Sequence, residues 1–170
     1  RHTRCSRDWS SDVCSSDLAW VALSPSTRAS GCMRVLPGSH AGGIAAHKDT
    51  FAPNNMLSRG QEIQVEVDEA KVVDIELPPG SMSLHHVKIA HGSDPNTADD
   101  RRIGLAIRYV PAHVRQTIGA DDTATLVRGT DRHRHFEAEP RADGDFTDAG
   151  LAVQDRLRKR RMAILMRPAA

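Results

Sequence analysis

The chain alternates short apolar stretches with turns rich in glycine and proline. Trp20-Val-Ala-Leu23 is a first strand candidate, followed by a turn-rich connection from Ser24 to Gly31. Cys32 to Leu36 (CMRVL) is a second, stopped by Pro37-Gly38. Residues 38–60 carry Gly, Asn and Pro and predict a long loop. Gln61 to Val67 alternates, with Ile63, Val65 and Val67 on one face. Val72 to Leu77 follows, and Pro78-Pro79-Gly80 turns the chain. Ser81 to Ile89 and Arg102 to Val110 are further strand patterns, the second the clearest of all, and Thr123 to Val127 adds a short one. Short strands at close spacing predict a sandwich or barrel rather than a βαβ fold. From Pro140 the character changes, and residues 150–166 predict a helix with Leu151, Leu157, Ile164 and Leu165 roughly on one side.

Composition adds bounds to this picture. With 170 residues, 39% hydrophobic and 26% charged, the chain suffices for one domain with a core. A net charge of +1 gives no general attraction to nucleic acid or to an anionic membrane. The basic run Arg156, Arg158, Lys159, Arg160 and Arg161 therefore reads as a solvated helix face. No apolar run approaches the roughly 20 residues of a membrane helix. Three cysteines, an odd number, argue against a disulfide framework. Nine histidines point toward metal or acid–base chemistry.

Residues 1–18 (RHTRCSRDWSSDVCSSDL) show neither helical nor strand periodicity and no secretory apolar region. Asp8 to Leu18 matches, codon for codon, the in-frame translation of a short-read sequencing adapter, and Arg1 to Arg4 matches the other end of the same oligonucleotide. The expectation is that residues 1–18 are non-native and that the natural protein begins upstream of residue 19. Cys32 is then the one natural cysteine, which fits a reducing cytoplasm. The expected organisation is 1–18 adapter-derived, 19–136 the β domain, and 137–170 a tail with a helix.

The chemistry concentrates after residue 80. His91-Gly-Ser-Asp-Pro-Asn96 follows a strand pattern, and a histidine at a strand exit beside a glycine is a good metal-ligand position. In the strand beyond it, residues 102, 104, 106 and 108 share one face: Arg, Gly, Ala, Arg. Two arginines separated by small residues describe a pocket wall with room for an anion, because guanidinium holds carboxylate in a fixed fork. Ile103, Leu105, Ile107 and Tyr109 form the other face. His85 and His86 are adjacent and must point to opposite faces, so only one can enter the pocket. His133 and His135 alternate with arginine and are expected to be exposed, whereas Met82 and Leu84 are assigned to the core. His47-Lys-Asp49 has the His-x-Asp spacing of an iron ligand pair and is an alternative pair of ligands.

The ordered segments WVAL, RVLPGSH, LPPGSMSLHH, HGSDPN and RRIGLAIRYVP resemble the phytanoyl-CoA dioxygenase family over roughly residues 20–136. That resemblance implies a partial double-stranded β-helix (jelly-roll) and an iron(II)- and 2-oxoglutarate-dependent oxygenase acting on a small organic substrate with O2. By it, His91 corresponds to the distal iron-binding histidine. Arg102 corresponds to the arginine that clamps the far carboxylate of 2-oxoglutarate, Ser93 to a hydroxyl that assists it, and Arg108 to a weaker candidate for the same task. The family's His-x-Asp or His-x-Glu iron pair lies before the tryptophan that matches Trp20, where this sequence has the adapter-like stretch; His47 and Asp49 come after RVLPGSH and belong to a loop over the pocket. The chain as written is therefore expected to hold iron weakly. A halogenase and a noncatalytic β-sandwich binding protein are the alternative readings.

Overall fold

The computed structural model describes residues 17–42, 47–49, 61–63, 66–115 and 122–165. It is mostly β, with one α-helix among the described residues. The strands are β1 (Asp17–Ala22), β2 (Met33–Val35), β3 (His47–Asp49), β4 (Gln61–Ile63), β5 (Val73–Ile75), β6 (Met82–His86), β7 (His91–Ser93), β8 (Gly104–Tyr109), β9 (Thr123–Ala124) and β10 (Glu137–Ala138), and the helix α1 is Asp148–Leu165. The chain forms two compact units, residues 1–110 and 111–170. This division falls earlier than the expected boundary at 136, because β9 pairs with β10 in parallel and both bond to α1.

In the first unit, two three-stranded sheets carry the architecture, with orders β6-β1-β8 and β5-β2-β7. Central β1 pairs antiparallel with both neighbours: Leu18 stands opposite His85 and Arg108, and Trp20 opposite Ser83 and Ala106. Residues directly opposite in a ladder share a face. One face of this sheet therefore carries Leu18, Trp20, Ala22, Ser83, His85, Gly104, Ala106 and Arg108. The opposite face carries Ala19 and Val21 with Met82, Leu84, Leu105, Ile107 and Tyr109.

That opposite face corrects an expectation. Ala19 is buried beneath its neighbours, yet Met82 and Leu84 are 55% and 65% exposed, and Leu105 and Tyr109 are exposed as well. They flank a small central residue and no described element lies over them, so they are not core. Among the described residues, the core of the first unit is Ala19, Ala22, Cys32, Met33 and Val35. Asp17 and Leu18 open β1, so the expected boundary at residue 18 falls inside a paired strand; residues 1–16 lie outside the described residues.

The segment read as one strand from Ser81 to Ile89 is β6 followed by a turn. Ile89 N donates to the His86 carbonyl and Lys88 N to His86 Nδ1, so the imidazole itself caps the turn. The chain then crosses to the other sheet as β7. Residues 38–60 are not wholly loop: β3 pairs with β4, invisible to periodicity because His-Lys-Asp has no apolar position.

In the second unit Leu157 is buried, while Leu151 is exposed and the side chains of Ile164 and Leu165 lie outside the described residues. The basic run is held by acids: Arg158 and Lys159 pair with Asp155, Arg160 with Glu137, and Arg161 with Asp122 and Glu139. His133 and His135 lie in a tilted ring contact at 5.5 Å, and His113 meets His133 at 6.4 Å. No described helix is long and apolar enough to cross a membrane.

Candidate active site

The site is assembled where β1 and the start of β8 meet β7. Ser24, just beyond β1, pins the backbone on both sides of Arg102: its Oγ donates to the Arg101 carbonyl at 3.0 Å and accepts from Ile103 N at 2.7 Å. The Arg102 side chain then has a defined course. Its guanidinium carbon lies 5.3 Å from the centroid of the Trp20 ring, and Nη2 donates to Ser93 Oγ at 3.3 Å. Cation–π contact and a hydroxyl partner together hold the fork in place while leaving further N–H groups for a ligand. Gly104 makes this possible. The Trp20 indole lies directly on its Cα, and a Cβ there would overlap the ring.

His91 and Ser93 sit opposite Val35 and Met33, so they share the face on which β2 is buried. His91 Nδ1 is 2.8 Å from the Ile89 carbonyl oxygen. A carbonyl only accepts, so Nδ1 carries the hydrogen, and Nε2 of the neutral ring offers its lone pair. That is the arrangement of a metal-binding histidine, whose second nitrogen donates to a backbone carbonyl. The following residue, Asp94, is tied to β2 by Arg34 at 3.2 Å, and Arg34 also reaches Asp74 of β5 at 3.4 Å. Gly31, at φ +71°, lets the turn before β2 approach Asp94: a Cβ would lie 2.5 Å from its carbonyl oxygen.

His85 enters from the facing sheet, and His86 turns away to meet the His40 ring in a tilted contact at 5.6 Å. The His85 and His91 rings are 5.8 Å apart. Burial, and secondarily the nearness of His91, lowers the His85 pKa against an opposing influence of Asp17. Its Nε2 is buried without a hydrogen-bond partner among the described residues. Cys32, buried just before β2, has its thiol pushed up chiefly by burial and then by Asp74 and Glu76.

Of the expected site residues, His91, Ser93 and Arg102 are brought together. Arg108 is not: it stands beyond Ala106 at the other end of β8, next to Leu18 and His85, and takes no part in the Arg102–Ser93 contact. The β3 backbone pairs with β4 and with neither three-stranded sheet, and the side chains of His47 and Asp49 lie outside the described residues. Among the described residues no three His, Cys, Asp or Glu side chains converge as a metal site. His91 thus fits one ligand position. Sequence reasoning missed Ser24 and the packing of Trp20 on Gly104; the glycine was visible only as a small residue between arginines.

The profile of the phytanoyl-CoA dioxygenase family matches residues 3–104. The chain belongs to this family. Phytanoyl-CoA dioxygenases use iron(II) and 2-oxoglutarate. The match begins within the stretch expected to be adapter-derived. A probable phytanoyl-CoA dioxygenase of Caenorhabditis elegans is 26% identical over 105 residues, covering 62% of this chain and 34% of that protein. A probable alpha-ketoglutarate-dependent hypophosphite dioxygenase of Stutzerimonas stutzeri is 31% identical over 101 residues, covering 58% of this chain and 35% of that one. Among solved structures, the apo form of the non-heme monooxygenase ThoJ superposes with a TM-score of 0.76 at 38% identity, covering 89% of this chain and 53% of ThoJ. The chain thus spans 34% and 35% of the length of these two curated relatives.

Proposed function

We propose that the protein is an iron(II)- and 2-oxoglutarate-dependent oxygenase that hydroxylates a small organic substrate, and that residues 17–110 form part of its double-stranded β-helix. The observation that carries this reading is the Arg102 guanidinium, set between Trp20 and Ser93 two residues from His91. In this proposal His91 is an iron ligand through Nε2. Arg102 holds the far carboxylate of 2-oxoglutarate, with Ser93 Oγ as a second partner for the same oxygens. The iron and 2-oxoglutarate, when bound, supply the activation of oxygen and the attack on a substrate C–H bond. This chain's residues bind and orient: Ser24 fixes the Arg102 backbone, Trp20 shields one guanidinium face from water, and the Ile89 carbonyl sets the His91 tautomer.

Calorimetric titration of 2-oxoglutarate tests the reading. Arg102→Ala should weaken binding strongly while Arg101→Ala should not; equal affinity for wild type and Arg102→Ala would sink it.

A further inference from the structure

We infer that the far end of this sheet face, at His85 and Arg108, is a second anion site that holds an acidic group of the substrate. The word substrate here rests on the proposed function; the anion site itself rests on geometry.

The two arginines of β8 do not serve one ligand. They are six residues apart, about 20 Å of extended chain at roughly 3.3 Å per residue, which is longer than a 2-oxoglutarate molecule. Arg102 is committed to Trp20 and Ser93. From Ser93 the chain leads back two residues to His91 on the same face, and the His91 ring lies 5.8 Å from His85. His85 shares its ladder position with Leu18 and Arg108. The side chains therefore follow one another as Arg102, Ser93, His91, His85 and Arg108, with the candidate metal ligand in the middle. A ligand reaching from Arg102 to His91 leaves His85 and Arg108 on the other side of the reacting position, where a substrate must sit.

Each offers a ligand an open position: the Nε2 of His85 and the guanidinium of Arg108. His85 Nε2 is buried without a partner among the described residues, and Arg108 is exposed beside it on the same face, its guanidinium open to a ligand from solvent. Leaving a buried polar nitrogen unmet is costly, so its presence points to a ligand that satisfies it. The Ser83 hydroxyl lies 3.5 Å from His85 Nδ1. A hydroxyl hydrogen turned to Nδ1 makes Nε2 the N–H donor. A guanidinium and an imidazole N–H then present donors only. That pair suits the oxygens of a carboxylate or phosphoryl group and offers nothing to a cation. Asp17, the acid next to Leu18, shares the opposite face with His86 and Tyr109 and does not neutralise Arg108.

The test uses the 170-residue chain labelled with 15N and titrated with inorganic phosphate and, separately, acetate, in the presence and absence of saturating 2-oxoglutarate. At least one anion should shift the His85 Nε2 and Arg108 Nε resonances whether or not 2-oxoglutarate is bound; which one does so distinguishes a phosphoryl from a carboxylate group. Arg108→Gln should weaken that anion about tenfold or more, with partial recovery in Arg108→Lys, and should leave 2-oxoglutarate affinity unchanged. Failure of both anions to move these resonances, an unchanged affinity in Arg108→Gln, or full displacement of both anions by 2-oxoglutarate would each overturn the inference. Arg102→Gln is the separating control. If it fails to weaken 2-oxoglutarate, the proposed function falls, while the response of Arg108 to the probe anions still reads out the second site.

Discussion

The guanidinium of Arg102 lies over the Trp20 indole at 5.3 Å from the ring centroid, joining the approach to β8 to the central strand of its sheet. One face of the cation is thereby taken from water while the fork edge stays open beside Ser93. An arginine so held loses less conformational freedom on binding than a solvated one.

Replacing Arg102 by Ala should therefore raise the 2-oxoglutarate dissociation constant substantially. The expected loss is about 2 kcal/mol, the lower end for a charged hydrogen-bonded pair, because the side chain remains partly solvated. Arg102→Lys should recover only part of it, since an ammonium lacks the planar fork. Isothermal calorimetry on the three chains measures both effects.

Gly104→Ala should displace the Trp20 ring, because the new methyl occupies the ring's position. Overpacking of this kind costs about 1–3 kcal/mol. The expected signature is a changed Trp20 emission together with weaker 2-oxoglutarate binding, although Gly104 touches no ligand. Unaltered emission in a Trp9→Phe background would contradict the packing.

His85 gives a pH dependence of known sign. Burial lowers its pKa in the folded chain below the ordinary value of 6.5. The unfolded chain thus binds the proton first as pH falls, and the folded state loses stability from about pH 6.5 downward, through the folded pKa. Denaturant titrations at several pH values should show His85→Leu losing less stability over this range than wild type. In histidine NMR titrations, His85 should protonate below the ordinary imidazole value of 6.5.

Leu157 is the one buried apolar side chain of α1 among the described residues. Leu157→Ala should destabilise the second unit by about 2–4 kcal/mol. The exposed Leu151→Ala should cost far less. Helical circular dichroism followed through thermal unfolding distinguishes the two.

Much of this was legible in the chain. Alternation placed β8, β5 and β6 within a few residues of their positions, because a half-buried strand needs a period of two. It also placed Arg102 apart from the Ile103, Leu105 and Ile107 face. The ordered motifs around Trp20, His91 and Arg102 identified the family. Where the pattern carried no apolar signal, as in His47-Lys-Asp49 and Glu137-Ala138, strands went unseen, since these segments are strands through ladder pairing alone.

Other features depended on contacts between residues far apart in the chain, and only the tertiary structure decided them. Pairing with β2 made His91 the start of a strand in the second sheet rather than the end of β6. The shared position of His85, Leu18 and Arg108 across three strands separated the second arginine from the first. Met82 and Leu84 have the hydrophobicity of core residues, yet burial depends on what lies over a face, and a sequence pattern specifies a face without specifying its cover. The amino-acid sequence determined which side chains can share a face; long-range strand pairing determined which of those faces meet, and so which residues form the site.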